Sequence, residues 1–207
     1  MLAAVVVAVC AAAAAMAQEP TAADIINRVL TANAHAPAVA SADVTFNFRL
    51  NKPVTERPDC QFTGTVRLEH GHNTVTISQR TYGLTCWVLN KVVIGRLFAG
   101  TEPADQFLSR FDYTVLGEKI EDGRPFYLIR GTARDPKANP HGLVGWIDYE
   151  RGLVTEGTLQ YNWGSIDSTE RYEQIEGAWV LVYQYLATTR FGASLEAEYS
   201  NFQFAPR

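Results

Sequence analysis

Few side chains in this chain are both reactive in type and grouped in spacing. His70-Gly71-His72 sets two imidazoles one residue apart, enough for two corners of a tetrahedral metal site, but no third ligand stands close by in the sequence. Gly71 also falls where a hairpin needs a turn, and a turn is the expected reading. His35 and His141 lie beside prolines in loop-like stretches, and the carboxylates of Asp122, Asp148 and Glu150 fall in turns, where they cap backbone amides. No G-x-S-x-G, H-E-x-x-H or glycine-rich phosphate loop occurs. These patterns assign no catalytic residue, no metal and no cofactor. One aromatic is conspicuous: Asn162-Trp163-Gly164 puts a large ring at a loop tip, where it either meets a bilayer interface or a partner's groove, or packs back on its own rim.

With chemistry set aside, what remains is architecture. The chain has 207 residues, 18 basic against 22 acidic side chains, 47% hydrophobic and 19% charged. That balance excludes a disordered chain, and a net charge of −4 with no Lys/Arg run excludes nucleic acid as a partner. Leu2 to Ala17 is uncharged, almost all Ala and Val, and ends Ala15-Met16-Ala17 before a polar Gln18-Glu19-Pro20. This reads as a secretory signal peptide cut after Ala17, too short for the roughly 20 residues of a membrane span. A lipoprotein signal at Cys10 is the competing reading, and Val9 is bulkier than the small residue such a site takes. The expected organisation is therefore a signal peptide, 1–17, and a single exported domain, 18–207. Two cysteines, Cys60 and Cys86, would then meet an oxidising compartment. A disulfide would close a loop of about 26 residues and contribute on the order of 3 kcal/mol, with two buried free thiols as the alternative. On the first and third strands of a flat meander the pair would be separated by two spacings of about 4.8 Å, beyond the roughly 7 Å limit. Cys60 follows Pro58-Asp59, however, at a strand start or in a loop that can bend over.

Thr21 and Asp24 have the spacing of a capping box, and Ala22, Ile25, Ile26, Val29 and Leu30 form one apolar stripe. They predict an amphipathic helix ending near Asn33. From Ala42 the period changes to two. Strands are expected over 42–50, 61–68, 75–78 and 85–94, a short helix over 103–111, and then hairpins over 113–120, 125–132, 143–149, 153–161, 165–175, 178–191 and 193–202, separated by tight Gly-containing turns. About ten or eleven strands result, nearly all antiparallel.

Leu159 and Tyr161, then Trp179, Leu181, Tyr183 and Tyr185, then Leu195, Ala197 and Tyr199 share one parity within each strand, with mostly polar neighbours. A sheet with one apolar face must curl over it, since leaving it wet would forfeit about 25 cal/mol per Å². The fold class is thus mainly β (α+β): a large, incompletely closed antiparallel β-barrel, with the N-terminal helix and the short second helix as its lid. One helix cannot fill so wide a sheet, which predicts a hydrophobic cavity. Its expected lining is Val44, Phe46, Phe48, Phe62, Val66, Trp87, Leu159, Leu181, Tyr183, Tyr185 and Leu195, free of charges. The expected lid residues are Ile25, Ile26, Val29 and Leu30. A tightly packed two-sheet sandwich without a void is the alternative.

This order of elements resembles the periplasmic outer-membrane lipoprotein carrier and sorting proteins of Gram-negative bacteria, the LolA/LolB-like fold. The layout is similar over the whole of 18–207, and most specific in Gly145-Trp146-Ile147-Asp148-Tyr149-Glu150-Arg151-Gly152-Leu153, in Tyr172-Glu173-Gln174-Ile175-Glu176-Gly177-Ala178-Trp179, and in Tyr199-Ser200-Asn201-Phe202. The resemblance implies a half-barrel that takes acyl chains of a lipoprotein or another lipid into its cavity and releases them to a membrane-bound partner. That family carries an Arg-Pro segment after the third strand whose arginine latches the lid. The corresponding Thr85-Cys86-Trp87-Val88-Leu89-Asn90-Lys91 has none, so no latch residue is assigned. The expected function is a non-enzymatic, monomeric lipid carrier of the periplasm, working between membrane-bound donor and acceptor proteins. A protein-interaction or envelope-sensor module on the same scaffold is the alternative.

Overall fold

The capping box forms as the sequence requires. Thr21 Oγ1 and backbone N both donate to Asp24 Oδ2, at 2.6 and 2.9 Å, and Asp24 N donates back to Thr21 Oγ1. These bonds hold the Asp24 carboxyl below its ordinary pKa. They start helix α1 (Ala22–His35), two residues longer than the sequence reading, which buries Ile25, Ile26 and Val29. The computed structural model describes residues 19–35, 39–69, 72–80, 86 and 103–205. Residues 1–17, expected to be a signal peptide, and Trp87 lie outside them.

Ten strands follow: β1 (Val39–Leu50), β2 (Cys60–Glu69), β3 (His72–Arg80), β4 (Phe111–Glu121), β5 (Arg124–Ala133), β6 (Gly142–Asp148), β7 (Leu153–Tyr161), β8 (Gly164–Ile175), β9 (Ala178–Thr188) and β10 (Ala193–Phe204), with helix α2 (Ala104–Leu108) before β4. They make one antiparallel sheet in the order β3-β2-β1-β10-β9-β8-β7-β6-β5-β4. The chain thus meanders, and β10 returns to pair with β1, Phe46 opposite Ala197 and Phe48 opposite Leu195. Tight turns enforce the meander. Asp122 and Gly123 both take positive φ, 50° and 77°, as a two-residue hairpin turn demands. Between β2 and β3, Glu69 pairs with His72, while His70 and Gly71 lie outside the described residues.

The sheet curls around two clusters. One joins Ile25, Ile26 and Val29 of α1 to Tyr127, Ile129 and Ile147, with Leu30, Leu108 and Val154 against it. The other gathers Val44, Phe46, Phe48, Phe62 and Leu195 around Cys60 and Cys86. These two cysteines form a disulfide with a Cα–Cα distance of 5.4 Å. The strand expected over 85–94 is described only at Cys86, whose backbone is helical. The rest of that stretch lies outside the described residues, and the 5.4 Å separation answers the geometric objection, because Cys86 does not sit two strand spacings from Cys60.

Candidate functional site

Between α1 and the concave face of the sheet lies a cavity of about 820 Å³, within the range of roughly 300–1,000 Å³ typical of ligand sites. Ile26, Val29 and Ala32 of α1 and Phe107 and Leu108 of α2 form its roof, and Ile129, Leu143, Ile147, Leu159, Leu181 and Phe202 line its wall. α2 is fixed by the Tyr113 hydroxyl, which donates to Leu108 O at 2.7 Å. Burial pushes that phenol up to about 12.

A turn adds polar contacts to the packing of the lid. Arg28 Nε donates to Tyr149 O at 3.3 Å, and its Nη2 donates to Glu150 O. Gly152, at φ +68°, lets the helix close down: a Cβ there would stand 2.6 Å from Arg28 O and 2.8 Å from Ala32 Cβ. The turn is fixed from below by Asp148, only 2% exposed. Its Oδ1 accepts from Arg151 N at 3.2 Å, and its Oδ2 lies 3.4 Å from Arg124 Nε and 3.6 Å from Arg151 Nη1. Arg151 in turn lies over the Trp179 ring, 3.8 Å from its centroid, and both residues line the cavity. Arg28 thus ties α1 to the turn between β6 and β7, a contact that the sequence reading did not single out.

Of the sequence-derived lining, Val66, Leu159 and Leu181 stand on the cavity wall, as do Ile26 and Val29 of the lid. Ile25 is fully buried beneath the helix and Leu30 packs beside it. Val44, Phe46, Phe48, Phe62 and Leu195 are placed elsewhere, in the disulfide cluster. They share the face of Ala42 and Val66, which do line the cavity, but lie toward the opposite end of the strands, where Phe46 (0% exposed) and Phe62 (1%) fill the interior instead of bounding a void.

Tyr183 and Tyr185 are on the other face altogether. They pair with Glu198 and Glu196, which alternate with the inward Leu195 and Ala197, and directly paired residues share a face. Tyr183 Oη donates to Glu196 Oε1 at 2.9 Å, and Glu196 forms a buried ion pair with Arg49. The period-two parity fails because β8 and β9 shift register: Tyr172 pairs with Leu181 but Arg171 with Tyr183, so Val182 is skipped.

The wall also carries charge, contrary to expectation. Ser168, Glu170 and Tyr172 of β8 line the cavity. Glu170 accepts from the Tyr172 hydroxyl and, at 3.1 Å, from Gln184 Nε2. Burial raises its pKa despite both bonds. The sequence offered no sign of this, since 168–173 is polar on both faces. At the far rim Trp163 stacks on Tyr161, centroids 4.9 Å apart, and leans on Phe191 at 5.7 Å. Phe191 itself remains 54% exposed.

No family model and no curated protein matches this sequence. Solved structures do match. A DUF1329 family protein from Desulfovibrio piger superposes with TM-score 0.56 at 11% identity, over 89% of this chain and 93% of that one. An outer-membrane lipoprotein-sorting protein domain, so assigned, from Vibrio parahaemolyticus gives 0.55 at 13%, over 86% and 91%. A LolA superfamily protein from Nitrosomonas europaea gives 0.52 at 13%, over 91% and 95%. At such identities the likeness is one of fold alone: this chain has one unclosed, ten-stranded antiparallel sheet with two short helices, and that layout is similar to these three structures.

Proposed function

We propose that the chain is an exported carrier that shelters the acyl chains of a lipoprotein, or of another lipid, and delivers them toward the outer membrane. In this reading residues 1–17 are a signal peptide removed after Ala17, and 18–207 form one periplasmic domain. The domain works as a monomer between membrane-bound donor and acceptor proteins and catalyses no reaction. The observation that carries the proposal is the apolar cavity of about 820 Å³ beneath α1, a helix that Arg28 ties to the 149–152 turn. Such a volume is suited to hydrocarbon, since apolar side chains supply most of its lining and a mobile roof gives entry without unfolding the sheet.

Native mass spectrometry with lipid extraction on residues 18–207, purified from a periplasm, tests it. A copurifying acylated species is expected. A clean apo mass from a protein that also refuses added acyl probes would overturn the carrier and favour a protein-interaction module. Leu181→Glu sharpens the test by placing a carboxylate on the wall. Uptake of a neutral acyl probe should fall at least tenfold in a folded protein, and unchanged uptake would count against the cavity.

A further inference from the structure

The carboxyl of Glu170 is set into an apolar cavity with two donors behind it and no cation. The Tyr172 hydroxyl serves Oε2 and Gln184 Nε2 serves Oε1, and among the described residues no Lys or Arg forms an ion pair with it. The neighbouring polar groups of the wall are already engaged: Ser168 Oγ with Gly157 O at 3.4 Å, and Thr158 Oγ1 with Asp167 Oδ1 at 2.8 Å. Arg151, the cation on the wall, is committed to Asp148 and to the Trp179 ring. The Tyr199 phenol, which also lines the cavity, feels the Glu170 charge and is pushed up to about 12, chiefly by its own burial.

Glu170 is half-buried in a largely apolar wall, where a carboxylate is costly unless its lone pairs are satisfied, and each of its oxygens has received one protein donor out of the two or so it can take. The unmet acceptor capacity belongs to a residue of the cavity wall. We infer that Glu170 is the polar recognition point of the cavity, accepting a hydrogen bond from a ligand whose chain fills the apolar part and whose head group donates through a hydroxyl, amide N–H or ammonium. A free fatty acid is discriminated against, because its carboxylate would face the Glu170 charge with no cation to separate them. This rests on the carrier reading and names the ligand class within it.

The experiment is displacement of the neutral reporter N-phenyl-1-naphthylamine at pH 8 by two chain-matched ligands, dodecanoate and monododecanoylglycerol. Wild type should bind the glycerol ester at least tenfold more tightly than the fatty acid. Glu170→Gln, which keeps the shape and can still bond Tyr172 and Gln184, should narrow that ratio to threefold or less. Glu170→Ala serves the same comparison should the glutamine variant fold poorly. Equal affinity of wild type for both ligands, or a preference that survives loss of the carboxylate, would overturn the assignment while leaving the carrier intact. Refusal of both ligands and of the reporter would sink the carrier reading itself.

Discussion

Replacing Gly152 by alanine would push the lid away from the wall by an amount the local geometry sets. The new Cβ would stand 2.6 Å from Arg28 O and 2.8 Å from Ala32 Cβ, whereas non-bonded carbons rest at about 3.5–4.0 Å, so α1 must retreat by roughly 1 Å. Overpacking of this kind costs about 1–3 kcal/mol. The backbone at φ +68° adds about 1–2 kcal/mol for any residue with a Cβ. The two costs are separable, because Gly123 has a similar φ of +77° and a methyl group there would meet nothing within 4 Å. Gly123→Ala therefore carries the backbone cost alone. Hydrogen exchange should show α1 amides opening at least tenfold faster in Gly152→Ala than in Gly123→Ala, since about 1.4 kcal/mol is a factor of ten, with β8 to β10 little changed. Equal stability loss in the two variants, together with unaltered exchange in α1, would refute the idea that this turn clamps the lid.

Other expectations follow from the same structure. Removing the 60–86 disulfide by Cys60→Ser, with Cys86→Ser, should lower stability by about 3 kcal/mol, read as a shift in the urea midpoint, and an unshifted midpoint would show that the cluster holds without it. Thr21→Ala removes the side-chain donor to Asp24 and the acceptor for Asp24 N, leaving the backbone N donor; it should cost about 1 kcal/mol and return the Asp24 carboxyl part of the way, by NMR titration, toward its ordinary value. The raised pKa of Glu170 makes ligand-free stability pH-dependent. The unfolded chain releases this proton near 4.5 and the folded chain only higher, so its contribution is complete below 4.5 and is lost as pH rises through the folded value. Glu170→Gln should flatten that decline in urea melts taken across the acid-to-neutral range, and superimposable profiles for the two proteins would contradict the burial assigned to the carboxyl.

The sheet and its helix were legible because each follows from local rules. The Thr21–Asp24 box, the stripe from Ala22 to Leu30, the period-two strands and the Asp122-Gly123 turn each specify their element from a few neighbouring residues. The wall of the cavity was not, for two reasons. Parity carries along a strand only until a bulge, and the skipped Val182 moves Tyr183 and Tyr185 to the outside while Leu181 remains within. Position along the strand also decides whether an inward residue bounds a void or fills the interior, and that depends on partners far away in sequence, such as Cys86 beside Phe62. Arg28 and Glu170 had no local signature at all. One looks like any charged residue on a helix face, and the other sits in a stretch polar on both sides.

Among the described residues the ten strands are joined by nine ladders, with β3 and β4 at the two ends of the order. A closed barrel has its bore set by strand number and shear; a slit sleeve does not. Its girth can grow by a few degrees of twist spread over nine ladders, with no hydrogen bond broken. The cost of accepting a bulkier cargo is then elastic and graded instead of all-or-none. On the carrier reading proposed above, capacity is then a matter of stiffness, and one scaffold holds one chain or several with the same set of contacts.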